Sequence, residues 1–298
     1  MLSLPMPATD RLKLADWLEF LALVSPDGNA SFIDLERAVR REGIAGLDDD
    51  EAVEEVIQEV ANEIDQRALS AQEAYPFQVE SRSILLKGSK DRFVPYVFCL
   101  CISALKSDKE LDKNPYPRRM FERLSCVAAR NYIKGEVVRF GSPRDQKDMP
   151  KEFSRAVDEL CKRIGEGLGF RAKKAFSQKD DAIDIVAWRD FPDRTEGKIM
   201  LLGNCASGHD WGSKLDEMQP QLFCEEWMLE VPVSMRSSVR AFFIPRRIER
   251  SQWKHISRRA GMVFDRCRIA HCIPLDEEFK DKSALLEWVD SVLRKASA

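Results

Sequence analysis

Histidine is scarce in this chain of 298 residues, which contains three. A histidine-based zinc or iron centre needs several converging imidazoles, so that class of enzyme is disfavoured. The eight cysteines include no CxxC pair, which removes the usual zinc-ribbon and redox spacings. Buried free thiols in a reducing compartment are the plain expectation. No apolar run approaches the roughly 20 residues that a bilayer span requires. The start of the chain, MLSLPMPATDRLKLADW, lacks the basic-then-apolar pattern of a secretory signal. A soluble, cytoplasmic protein away from membranes is therefore expected. Other absences narrow the chemistry. There is no GxxxxGK[ST] phosphate loop and no GxSxG elbow. The GEGLGF stretch follows a helical pattern rather than a strand, so it is no dinucleotide fingerprint. Internal repeats and low-complexity tracts are also missing.

What is present is a mixture able to fold: 44% hydrophobic and 33% charged residues, enough apolar mass for one large or two ordinary domains. The net charge of −3 hides an uneven distribution. Residues 48–73 are acidic, with Asp48, Asp49, Asp50, Glu51, Glu54, Glu55, Glu59, Glu63, Asp65 and Glu73. Residues 236–268 carry ten basic side chains against Glu249 and Asp265. Such asymmetry points to a polyanionic partner, with a solvated helix face as the plainer alternative. Arg246, Arg247, Arg250, Lys254, Arg258 and Arg259 are the expected nucleic-acid contacts, and Trp211 and Trp253 are either base-stacking aromatics or core.

Periodicity places helices over 10–24, with Asp10 as N-cap, over 31–42 and over 49–67. A hairpin follows over 75–88, then a buried apolar helix or strand over 93–106. Residues 1–112 thus read as a mostly helical recognition or partner module, in the manner of a winged-helix variant. Residues 113–298 read as a second domain. It opens with helices over 121–135 and 151–170, the latter ended by Gly167 and Gly169. Strands are expected over 170–176, 183–189, 198–205, 239–244 and 263–272, with helices over 213–228, 251–262 and 282–295. That order gives an α/β fold with a mixed central sheet.

Two of those strands carry the chemistry. Asp184 interrupts the apolar run 183–188, where an uncompensated carboxylate is costly. A second strand, 198–206, ends in Asn204-Cys205-Ala206, twenty residues further on. This arrangement resembles the PD-(D/E)XK, or restriction-endonuclease-like, nuclease superfamily across roughly 115–275. The core of that superfamily is a helix, a three-strand meander, a helix and a further strand. The motif there is an Asp on the second strand and (Glu/Asp/Gln)-x-Lys on the third. Asn204 stands where an acidic residue or Gln is usual, and Ala206 stands where the lysine belongs.

The resemblance implies a metal-dependent endonuclease. A hard cation, Mg²⁺ or Mn²⁺, would be held by Asp184, Asn204 and the Cys205 carbonyl, and would lower the pKa of its water. The lysine is expected to have moved to Lys214 on the following helix, where it would offset charge in the transition state. A glutamate from the first core helix would complete the site. Glu166 is preferred over Glu159 and Glu122, and Asp181 could act behind the ligands or hold an extra ion. His209 reads as a surface residue. The implied partners are DNA and a separately encoded ATPase or sensor subunit of a prokaryotic antiviral defence system, with homo-oligomerisation left open. The rival is a catalytically degenerate nuclease fold that binds DNA or assembles a complex. A third reading is an adaptor whose acidic helix docks a basic partner.

Overall fold

The computed structural model describes residues 10–42, 50–105, 116–144, 149–171 and 182–297. The chain divides into two compact units. Unit 1 comprises residues 1–110, 245–249 and 265–298, and unit 2 comprises 111–244 and 250–264. The second unit is thus inserted into the first, whereas the sequence suggests a single break at 112/113.

Unit 1 begins with α1 (Arg11–Val24), β1 (Asn29–Ser31), α2 (Phe32–Glu42) and α3 (Asp50–Ala71). Asp10 caps α1 as expected, accepting from the Leu12 and Lys13 amides at 3.1 and 3.3 Å. The hairpin β2 (Phe77–Val79) and β3 (Ser83–Leu86) pairs with β1 in the antiparallel order β1-β3-β2. The ambiguous apolar run becomes a helix, α4 (Val94–Ala104), buried all round as an unbroken apolar surface demands. One core runs through Leu14, Leu18, Leu35, Val60, Ile64, Tyr75, Phe77 and Ile84.

Unit 2 opens with α5 (Tyr116–Ile133) and β4 (Glu136–Arg139), followed by α6 (Phe153–Ile164), β5 (Ile185–Arg189) and β6 (Ile199–Cys205). Next come α7 (Pro220–Trp227), the short α8 (Val233–Arg236), β7 (Val239–Phe243), α9 (Trp253–Ala260) and β8 (Met262–Phe264). The five strands lie in chain order β4-β5-β6-β7-β8. β4, β5 and β6 form an antiparallel meander, and β7 and β8 add in parallel. Helices cover both faces. α5 packs on β4 and β5. On the other face Phe153, Val157 and Leu160 of α6 and Phe223 and Trp227 of α7 join Val186, Trp188, Met200 and Leu202 in one core. Edge-to-face ring contacts at 5.3–6.3 Å link Phe140, Phe153, Phe223 and Trp227 within it.

Several expected boundaries move. α6 ends at Gly165, whose φ of +69° supplies the left-handed cap, two residues before Gly167. The strand expected over 170–176 lies mostly outside the described residues; Phe170 alone makes a bridge, to Met228. The first strand of the meander is instead β4, so the helix that precedes it is α5 rather than α6. The helix expected over 213–228 starts only at Pro220, because proline at the first helical position is where helices begin.

The strand expected over 263–272 stops at Phe264. There Asp265 accepts from the Arg268 amide at 3.0 Å and caps α10 (Arg266–His271), which belongs to unit 1. The last helix, α11 (Lys282–Ser297), packs on α4 in that unit, with Trp288 edge-on to Phe98 at 5.1 Å. Among the described residues no helix is long and apolar enough to cross a membrane.

Candidate active site

Asp184 sits at the entry to β5, at the end of the sheet where β6 runs out. Its amide donates to the Gly203 carbonyl at 2.8 Å, and its own carbonyl accepts from both Phe140 and Gly141, at 2.7 and 3.1 Å. Two residues after β4 thus face one residue of its neighbour, the geometry of a bulge, which re-aims side chains locally. Just upstream Ala182 holds a φ of +60°, a left-handed conformation costing an L-residue about 1–3 kcal/mol. The Asp184 carboxylate accepts from the Cys205 amide at 2.7 Å through Oδ2. Hydrogen bonding to the ionised form is one way this carboxylate is tolerated beside an apolar strand.

The other oxygen points toward α5. A Cβ built on Gly141 would stand 2.5 Å from Asp184 Oδ1 and 3.2 Å from Glu122 Oε2. The two carboxylates therefore flank one point, and only a residue without a side chain leaves it free. Glu122 is held there by Arg139 of β4, whose NH2 lies 2.5 Å from Glu122 Oε2. Cys205 shares this face: burial pushes its thiol up, and the Asp184 and Glu122 charges push it further, with Cys126 and Ser125 of α5 also in range. Both effects favour the neutral thiol. Asp184 is half-buried and the Glu122 side chain is 15% exposed, with its Oε2 atom buried.

Not every expected site residue converges here. Glu166 is overturned as the helix-borne carboxylate. It is buried and accepts from the Ser234 amide at 2.8 Å and the Gly197 amide at 3.2 Å, and it is bonded to the Ser234 hydroxyl as well. Gly197 lies before the start of β6 and Cys205 at its end, roughly 25 Å apart along the strand. Beside it Lys198 donates to the Ile164 carbonyl and to Asp190, both at 2.7 Å. Glu166 therefore braces the far end of the sheet. Glu159 is tied to Arg163 at 2.8 Å on α6. Glu122, the remaining alternative, is the one the fold brings to Asp184.

Asn204 has the strand parity of Met200 and Leu202, whose side chains enter the core under α6 and α7. Its Nδ2 donates to the Ala182 carbonyl at 3.0 Å, and its buried Oδ1 has no hydrogen-bond partner among the described residues. The residue turned toward the two carboxylates is Cys205, one position on. Lys214 is not on the first turn of a helix. It ends a four-residue 3-10 turn, Trp211–Lys214, with its ammonium 4.0 Å from Asp210. His209 is exposed, as expected, and Trp211 and Trp253 are half-buried. Asp181 lies outside the described residues.

The basic segment is shared between the units. Arg247 is consumed inside unit 1: it bonds Asp265 at 2.6 Å, Glu63 at 3.2 Å and Ser70 at 3.2 Å, with a side chain 10% exposed. It is withdrawn from the expected nucleic-acid surface. Arg246 is half-buried in the same unit. Arg250, Lys254 and Arg258 are exposed in unit 2, while Arg259 pairs with Asp216 at 2.5 Å. Much of the charge asymmetry read from the sequence is therefore internal. Within unit 1, Arg67 of α3 and Arg266 of α10 are fully buried. Arg67 reaches Asp16 at 2.8 Å, Glu19 at 3.0 Å and Glu63 at 2.9 Å, and Arg266 pairs with the same Asp16. Tyr75 and Tyr96 both donate to Glu19 at 2.9 Å. This network is the physical reason the C-terminal segment belongs to the first unit.

All eight cysteines are free thiols, six of them buried and Cys205 and Cys272 half-buried. Among the described residues no group of three or more His, Cys, Asp or Glu side chains is placed to hold a metal ion. Mg²⁺ asks for less, since it is held by one or two carboxylates with water and substrate phosphate making up the rest. The Asp184–Glu122 pair with its open point over Gly141 fits that donor set. Comparison of the chain with protein-family models, with curated proteins and with solved structures found no match.

Proposed function

We propose that unit 2 is a metal-dependent DNA endonuclease domain of the PD-(D/E)XK kind. The observation that carries the reading is the pair of carboxylates, Asp184 and Glu122, meeting over Gly141 at the open end of the β4-β5-β6 meander. Its setting supports it: α5, the β4-β5-β6 meander with α6 inserted between β4 and β5, then α7, α8 and the parallel β7 follow in chain order, the core of that superfamily with a helix added inside the meander. Asp184 and Glu122, with the Cys205 carbonyl, would hold Mg²⁺ or Mn²⁺. When bound, the ion supplies an acidified water and screens the phosphate oxygens. Asp184 is oriented for this by the Cys205 amide, and Glu122 by Arg139. The exposed Lys254 and Arg258 on α9, with Arg250, are the candidate DNA footprint.

Unit 1 has the helix–strand–helix–helix–hairpin order of a winged helix. Its α3, however, exposes Glu51, Glu54, Glu55 and Asp65, which would repel a phosphate backbone. A partner-docking role suits it better than DNA reading, in keeping with a separately encoded ATPase or sensor subunit in a defence system.

A second reading, a binding or assembly subunit without catalysis, is favoured by one feature: Ala206 is buried where the motif lysine would stand. Cleavage of plasmid and linear DNA with Mg²⁺ or Mn²⁺ separates the two. Under the nuclease reading wild type cuts and Asp184→Ala does not, with DNA affinity retained. Cutting undiminished by Asp184→Ala would refute the site.

A further inference from the structure

The cation missing at Ala206 has a candidate on another strand. We propose that Arg139 is the phosphate-binding cation of this site, acting from β4 in place of a lysine on β6. The inference rests on reading the site as one for phosphodiesters.

Three observations carry it. The first is position. Arg139 pairs in register with Ile185, the residue after Asp184, and shares its sheet face with Gly141, two residues on. Its guanidinium already touches Glu122, whose carboxylate flanks the same point as Asp184. The second is unspent donor capacity. The Arg139 side chain is 4% exposed, and NH1 donates to the Pro143 carbonyl at 3.1 Å. Nε is buried and makes no hydrogen bond among the described residues, and NH2 is held against Glu122 Oε2 by charge. A guanidinium carries five N–H donors in a rigid fork, and buried donors are ordinarily satisfied. A phosphate oxygen at the site would supply acceptors in the geometry that fork prefers. The third is charge. Asp184 and Glu122 put two negative charges where a phosphodiester must approach, and Arg139 is a buried cation paired with Glu122. Lys214, by contrast, is paired with Asp210, and Lys198 with Asp190.

A structural role, in which Arg139 only neutralises Glu122, gives different results. Arg139→Lys keeps the charge and the ion pair but loses the fork. The test titrates inorganic phosphate into wild type, Arg139→Lys, Arg139→Gln and Lys214→Ala by calorimetry, with and without Mg²⁺, after thermal melts confirm folding. The expected result is phosphate binding by wild type and Lys214→Ala, and a loss of roughly tenfold or more in Arg139→Lys at an unchanged melting temperature. Equal binding by wild type and Arg139→Lys overturns the proposal, as does no binding by wild type, or loss only in Lys214→Ala. Parallel cleavage assays keep the two readings apart. If Asp184→Ala abolishes cutting while Arg139→Lys changes neither phosphate binding nor rate, this inference alone falls. If Arg139 binds phosphate while Asp184→Ala cuts normally, the hydrolytic reading alone falls.

Discussion

The carboxylates of Glu122 and Asp184 approach each other across Gly141, one from a helix and one from the entry to a strand. Glu122→Gln is expected to lower DNA cleavage by roughly a hundredfold or more, because a neutral amide holds a hard cation less well, and to cost stability as well, because it leaves the buried Arg139 without its counter-charge. Glu166→Gln should affect stability alone. It disturbs the buried bonds to Ser234 and Gly197, costing about 1–3 kcal/mol, and leaves the cleavage rate of folded protein intact. Urea melts and single-turnover rates on both variants decide the assignment.

Gly141→Ala probes the open point itself. The added methyl would overlap Asp184 Oδ1 at 2.5 Å, so the carboxylate must move. A displacement of this kind costs on the order of a hundredfold in rate. A variant that folds and cuts at the wild-type rate would show that the space is not used.

The basic segment makes opposite predictions for its two halves. Lys254→Glu with Arg258→Glu should weaken DNA binding and flatten its salt dependence by about 0.9 for each phosphate no longer neutralised. Arg247→Glu should chiefly destabilise, because it places a carboxylate against Glu63 and Asp265. Affinity measured across a salt series, beside thermal melts, separates the two effects.

Unit 1 should be intolerant of change at Arg67. Replacing it with methionine strands Glu19, which is fully buried, and is expected to cost about 3–5 kcal/mol by denaturant unfolding.

The same network sets the acid response. Burial opposes ionisation of Asp16, but Arg266 and Arg67 outweigh it and hold its carboxyl below the ordinary aspartate value. With a lowered folded pKa, the unfolded chain takes up the proton first. The stabilisation is therefore full above about pH 4 and is lost as pH falls through the folded value. Urea midpoints should drop steeply below about pH 4 in wild type, and Asp16→Asn should start lower and fall less.

Asp184 is legible in the sequence because a carboxylate inside an apolar run demands a reason. Glu122 is legible only as one of three competing helix glutamates, since on a mixed helix such as α5 a glutamate beside arginines looks like solvated surface. Only the sheet beneath shows which face it lines. The exchange of Asn204 for Cys205 has a similar cause: strand parity is invisible until the partner strand fixes the register, and one residue reverses the face. Lys214 misleads because the turn before Pro220 has the look of a helix start. The burial of Arg247 and Arg266 depends on acids far away in the sequence, Glu63 and Asp16, which no local pattern reveals. Asp265 misleads for a subtler reason: the apolar residues around it suit a strand, and its role as a helix cap appears only once Phe264 ends β8.

The insertion of unit 2 into unit 1 also bears on the order in which the protein is made. Domains commonly fold as units during synthesis. The last strand of unit 2 ends at Phe264, so that unit is fully extruded before Arg266 follows. Asp16 and Glu19 are among the earliest residues to emerge, and Arg266 among the late ones. Until it arrives, α1 lacks one of the two buried arginines that compensate its acids, and its host fold stays unfinished. The nascent chain would thus carry a completed unit 2 while unit 1, the host on either side of it, is still open.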